Sequence, residues 1–165
     1  ASWCVGQCAP HPSWPGFRLP PSASSSRKAA RRGRAPPDTA LTMPAPTLIK
    51  LVDATGTPLE YFLPPEKLIS GNPKQTVWMH YKDPTSQFFV GLWRSEPGKW
   101  RIAYTEQEFC LMLEGSRIVT DQAGRSVTVS AGESFGIPRG FVGTWEVVAP
   151  TTKRFVIYEA AAESA

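Results

Sequence analysis

The sequence predicts an all-β fold, a sandwich or barrel, on three observations. Short runs rich in aromatic and β-branched residues recur from residue 47 to residue 159. Clusters of Gly, Pro, Asp and Ser separate them at regular intervals, as in antiparallel sheets. No long segment carries apolar residues at helical spacing.

The elements follow in order. "TLIKLV" (47–52) alternates and reads as a strand, with "TGTP" as its turn. "LPPEKLISGNP" (63–73) reads as a Pro-bounded loop with one helical turn. "QTVWMHY" (75–81) and "QFFVGLWR" (87–94) are strands by composition, joined by the hairpin loop "KDPTS". "WRIAY" (100–104), "EFCLML" (108–113), "SRIVTD" (116–121) and "SVTVS" (126–130) come next. The turn before 126 needs Gly124 at positive φ. "AGESFGIPRG" (131–140) holds a short strand, and Gly140 serves a tight turn after Pro138. "FVGTWEVV" (141–148) and "KRFVIYE" (153–159) complete a set of roughly ten strands.

Residues 1–42 differ from the domain at 43–165. They hold seven of the 17 prolines and the run "SSSRKAARRGRAPP", without hydrophobic periodicity. Such a segment cannot bury enough surface to offset its ordering entropy, so a disordered basic extension is expected. Met43 stands where the composition changes. A non-native extension upstream of it is the first reading; an Arg- and Ser-rich organelle transit peptide and an interaction arm are the others.

The charge points the same way. Six of the 18 basic residues and one of the 14 acidic ones lie in 1–40, so 41–165 holds 12 and 13. The net +4 therefore belongs to the extension, and nucleic acid is not an expected partner of the body. No apolar run approaches the roughly 20 residues of a membrane span. Three cysteines, Cys4, Cys8 and Cys110, form no disulfide framework, which suits a reducing, cytoplasmic setting.

Two spacings carry a resemblance. Glu108 precedes Gly115 by six intervening residues, and Gly132, Pro138 and Gly140 stand in a Gly-x5-Pro-x-Gly pattern. Together with "GLWRSEPGKWRIAYTEQEFCLMLEG" and "AGESFGIPRGFVGTW" they make the chain similar to the cupins. The likeness is to small single-domain cupins of the ureidoglycine-aminohydrolase and ethanolamine-utilisation type, and runs from about residue 60 to 159. It implies a double-stranded β-helix, a jelly-roll barrel of roughly six to eight strands. It also implies a homodimer.

Many cupins hold a metal with two His before the Glu and a third in the second motif. Here those positions fall at Ile102, Tyr104 and about Gly143, and the chain has only His11 and His80. One His and one carboxylate fall short of the three or four ligands of a transition-metal site. No cofactor is expected, with weak divalent-metal binding left open.

If Glu108 keeps the cupin orientation it faces the lumen, and alternation puts Ile102, Tyr104, Cys110 and Met112 beside it. A lumen carboxylate needs water, a cation or a donor, or it protonates. Glu108 and Tyr104 are the candidate acid and base; the alternatives are a structural ion pair and a core aromatic. Lys153 is a candidate partner for Glu108 or Glu146, and Arg101 is expected to face away. Trp93 and Trp145, with Trp100 nearby in sequence, are candidate pocket walls or core. Cys110 and Met112 are candidate ligand contacts on the inner face. His80 is a candidate base or a structural residue, and Arg139 an anion contact or a solvated turn residue. The expected function is binding or transforming a small polar metabolite in the lumen. The alternatives are a non-catalytic sensor and a structural dimer with a packed lumen.

Overall fold

In the computed structural model the described residues are 47–52, 54 and 56–160. The expected disorder of 1–42, together with Cys4, Cys8 and His11, lies outside them. Eleven strands are found among the described residues: β1 (Leu59–Tyr61), β2 (Leu68–Ser70), β3 (Gln75–Lys82), β4 (Phe88–Ser95), β5 (Gly98–Ala103), β6 (Gln107–Glu114), β7 (Ser116–Asp121), β8 (Ser126–Ser130), β9 (Ser134–Ile137), β10 (Val142–Val147) and β11 (Thr151–Tyr158). All pairings are antiparallel. One sheet runs β1-β3-β4-β11-β6-β9 and the other β2-β5-β10-β7-β8. No helix among the described residues is long and apolar enough to cross a membrane.

Two expectations are corrected. Residues 47–52 form no strand. Their alternation finds no partner, and Leu48 is 99% exposed. The first strand is instead β1, which pairs with β3 from Leu59↔Val77 to Tyr61↔Gln75. The loop expected at 63–73 does contain one helical turn, a 3-10 turn at Pro65–Lys67, but also the strand β2, which pairs with β5. Gly124 and Gly140 take φ +80° and +83°, as their turns require.

The inner faces of the two sheets supply the core. Trp93, Phe155 and Ile157 from one sheet meet Trp100, Ile102, Trp145 and Val147 from the other, with Tyr104 and Ile137. The period-2 pattern is cleanest from 100 to 110, where every even residue is buried and every odd one exposed. That places Arg101 outside and Ile102, Tyr104 and Glu108 inside. β8 and β9 are edge strands, one on each sheet, so the sandwich is open between them.

A bulge gives the two carboxylates of "EFCLMLEG" opposite fates. Along β11, Thr152 pairs with Glu114 but Lys153 pairs with Met112, leaving Leu113 unmatched. The extra residue inverts the alternation. Met112 stays inside with Glu108, whereas Glu114 is turned out. There it accepts a hydrogen bond from Thr152 Oγ1 (2.8 Å) and lies 3.7 Å from Arg94. Lys153, on the other side of the same irregularity, faces in.

Candidate functional site

The centre of the lumen is an ion pair. Lys153 Nζ donates to Glu108 Oε1 at 2.6 Å, with both side chains sealed from solvent. The lysine's register position is opposite Met112, so its side chain runs along the lumen past Cys110 to reach Glu108. On the way it lies 3.4 Å from Cys110 Sγ. It also sits over the rings of Trp145 (4.6 Å) and Trp93 (5.2 Å). Aromatic faces and a carboxylate together hold an ammonium that would otherwise be costly to bury. Glu146, the other partner considered for Lys153, pairs instead with Lys99 at 2.9 Å.

A second cation lies in the same lumen. Arg117 on β7 is fully buried, 4.4 Å from the Trp145 ring, 5.2 Å from Trp93 and 5.6 Å from Phe135. None of its three guanidinium nitrogens has a hydrogen-bond partner among the described residues. Burial pulls its pKa down to about 10, against the opposing fields of Cys110, Glu108 and Tyr104, so it remains charged at neutral pH. Sequence reasoning passed over it. In "SRIVTD" both faces mix polar and apolar residues, and only pairing with β10 and β8 fixes which one is inner: Arg117 stands opposite Val147 and Val129, both buried.

The other candidates group unevenly. Tyr104 is buried, with its hydroxyl near the Glu108 carboxylate. Burial first, then the Glu108 carboxylate, drives its pKa well above the ordinary phenol value. Burial likewise pushes the Cys110 thiol up to about 12, aided by Glu108 and opposed by Lys153 and Arg117, so Cys110 is no nucleophile at neutral pH. Trp93 and Trp145, offered as pocket walls, are packed in the core with their rings 6.0 Å apart. Trp93 donates to Gln75 Oε1 (3.0 Å), which also accepts from Tyr61 (2.9 Å). Met112 is buried beside them. His80 stands at a bulge of β3, between Met79 and Tyr81. Arg139 is exposed in the turn after β9. Neither lines the open cavity.

That cavity is a groove of about 380 Å³ at the open edge between β8 and β9. β7 and β8 contribute Val119, Val127 and Val129, β9 contributes Phe135 and Ile137, and the Asp121–Arg125 ion pair (2.7 Å) stands at its lining. None of the residues first considered for a site lines it. Phe135 links the two regions. It faces the groove, and its ring packs against Arg117 and, at 6.1 Å, Trp145.

This architecture, with Glu108 on an inner strand and the Gly132–Gly140 turn beside it, agrees with the comparisons. The family model described as the EutQ-like cupin domain matches residues 82–155. Residues 82–155 thus form a domain of the cupin superfamily. A crystal structure from Pseudomonas syringae, of a DUF861-family protein of unknown function, shares the fold with a TM-score of 0.57 and 20% identity. The match covers 62% of this chain and 44% of that one, so this chain spans less than half of that protein's length. The EutQ protein of Clostridium difficile aligns at 19% identity and a TM-score of 0.49, over 55% of this chain and 71% of its own. A putative ethanolamine utilization protein from Salmonella typhimurium aligns at 16% and 0.49, over 64% and 100%. No curated protein matches.

The residues of this cupin do not fit a His-and-Glu metal set. Ile102 and Tyr104 occupy the first two ligand positions and offer no imidazole. At Gly143 a Cβ would lie 2.0 Å from the Thr120 carbonyl oxygen, so no ligand side chain fits between β10 and β7. The ammonium of Lys153 already sits on Glu108, where a metal would have to bind. Among the described residues, no three His, Cys, Asp or Glu side chains could share an ion.

Proposed function

We propose that this cupin binds a small polar metabolite through the groove and the lumen behind it, without using Glu108 as a free base. The observation that carries this reading is the 2.6 Å contact of Lys153 with Glu108. A buried carboxylate already committed to a buried ammonium is poorly placed to take a proton from a substrate. The groove between the edge strands gives a ligand its entry, and 380 Å³ suits a small molecule.

A second reading is acid–base catalysis by Glu108 and Tyr104. It is favoured by one observation: Tyr104 and Glu108 lie close enough to act on one another, and Glu108 Oε2 is not taken by Lys153. Thermal shift with a panel of small polar metabolites tests the first reading. Val127, 61% exposed on the groove wall, supplies the control. A bound metabolite is expected to raise the melting temperature by about 2–4 °C, and Val127→Trp to remove that shift. A panel with no effect, or a shift indifferent to Val127→Trp, would sink it. Turnover of any such metabolite that is abolished by Glu108→Gln would favour catalysis instead.

The same reading includes a cytoplasmic homodimer with neither nucleic acid nor membrane as partner. Phe88, Phe109 and Tyr158 are exposed on the outer face of the six-stranded sheet, which supports pairing of that face with a second copy.

A further inference from the structure

Arg117 is a buried cation for which the described residues supply no acceptor. Its guanidinium carries five N–H donors. The rings of Trp145, Trp93 and Phe135 contact it at 4.4–5.6 Å and stabilise its charge, but a ring face does not satisfy in-plane donors. Glu108, whose field reaches it, is bonded to Lys153 and accepts nothing from Arg117. Glu106, also buried, accepts from the backbone N–H and hydroxyl of Thr105 before β6. A buried charged group left without partners is expensive, and natural folds supply its partner from elsewhere.

The position of Arg117 says where a partner would come from. On β7, Arg117, Val119 and Asp121 share one face. Val119 and Asp121 line the groove, and Arg117 is the next residue inward. Its cross-strand neighbour Val129 and its ring contact Phe135 both line the groove as well. Arg117 itself does not line the groove: its guanidinium is sealed from solvent, and Phe135, which lines the groove, packs against it. One more donor without a partner among the described residues, Trp145 Nε1, belongs to the same lumen.

Resting on the reading of a groove ligand given above, we infer that the ligand is a small monocarboxylate whose carboxylate is taken by Arg117. Its organic part lies along Phe135 and the valines of the groove. The charge balance selects the class. Lys153 is neutralised by Glu108, so Arg117 offers one uncompensated positive charge, which a single carboxylate answers. Phosphate would bring a charge of roughly −1.5 to −2 into the field of Glu108. A planar guanidinium fork also matches a carboxylate in two parallel hydrogen bonds, which a lysine cannot imitate. A buried water would satisfy donors without answering the charge.

The test is calorimetric titration of the full chain at neutral pH with acetate and benzoate, and with benzyl alcohol as the neutral match to benzoate. Benzoate is expected to bind at least about tenfold more tightly than benzyl alcohol, and Arg117→Lys and Arg117→Met to weaken it by about 10- to 100-fold. Without ligand, Arg117→Met is expected to melt no lower than the wild type, because it removes a charge that the empty site leaves unpaired. A substantial drop in melting temperature, or failure to fold, would make the guanidinium a structural group and overturn the inference. So would equal affinity for benzoate and benzyl alcohol, benzoate binding untouched in Arg117→Met, or no carboxylate binding while neutral members of the metabolite panel bind. Those last three outcomes leave the groove as a ligand site. Only silence from the carboxylates and from the whole panel removes both readings.

Discussion

On the wall formed by β6 and β11, a buried ammonium meets a buried carboxylate at 2.6 Å. On the facing wall, β7 buries a guanidinium against three aromatic rings with no hydrogen-bond acceptor among the described residues. Both cations lean on the same two indoles, Trp93 and Trp145, and both are sealed from solvent. The difference lies in who completes them. The first is closed within the chain and behaves as part of the core. The second is left open, and its strand runs directly into a groove. Burial of a charge is thus a weak guide to function by itself; the state of its hydrogen bonds separates the structural cation from the binding one.

Breaking the closed side should have the largest effect. Glu108→Gln or Lys153→Met alone strands one buried charge and is expected to cost about 3–5 kcal/mol by chemical denaturation. The double variant Glu108→Gln/Lys153→Met should regain most of that loss. Near-additive losses in the double would mean that the two side chains act independently, and the contrast between the walls would collapse.

A smaller effect comes from pH. Cys110 lies against the same ion pair, and its folded pKa of about 12 stands above the ordinary thiol value of 9.0. Between those values the unfolded chain loses the proton and the folded one keeps it, so stability is intact below about pH 9 and falls as pH rises through this window. At pH 10 the thiol's share of the loss should be about 1.4 kcal/mol, and that share is absent in Cys110→Ala. Tyr61 and Tyr104, both raised chiefly by burial, add losses of the same sign above their ordinary value of 10.0. A melting temperature that rises from pH 8.5 to 10 would contradict the buried-thiol account.

The smallest effect belongs to the groove itself. Arg125 is 83% exposed where it pairs with Asp121. Arg125→Ala should change stability by less than about 0.5 kcal/mol. A loss comparable to that of Lys153→Met would show that groove and lumen are not energetically separate.

Much of this arrangement is legible in the sequence. Alternation through 100–112 gives an inner face with Glu108, Tyr104, Cys110 and Met112, because strict period-2 burial leaves little choice of side. Lys153 is legible only as a candidate partner of Glu108 or Glu146, because the register of β11 with β6 decides between them. Arg117 is not, since its strand alternates no clear hydrophobic face and its direction depends on register with β10 and β8. Nor is the groove, which forms between edge strands joined only by a tight turn. The short strands β1 and β2 escape detection because three residues carry too little pattern. The run at 47–52 misleads for the opposite reason: it has the pattern, but no sheet edge receives it.

The alternation of β11 that turns Lys153 inward sets a different kind of limit on the lumen. An ion held by side chains comes and goes with its supply, with competing ions and with chelators. An ammonium at the end of a strand-borne side chain has no dissociation constant. It is present at full occupancy in every folded copy and is delivered by the ribosome rather than by the cell's metal pools. The lumen of this cupin therefore carries a counter-charge that dilution cannot remove and that only unfolding or deprotonation can withdraw.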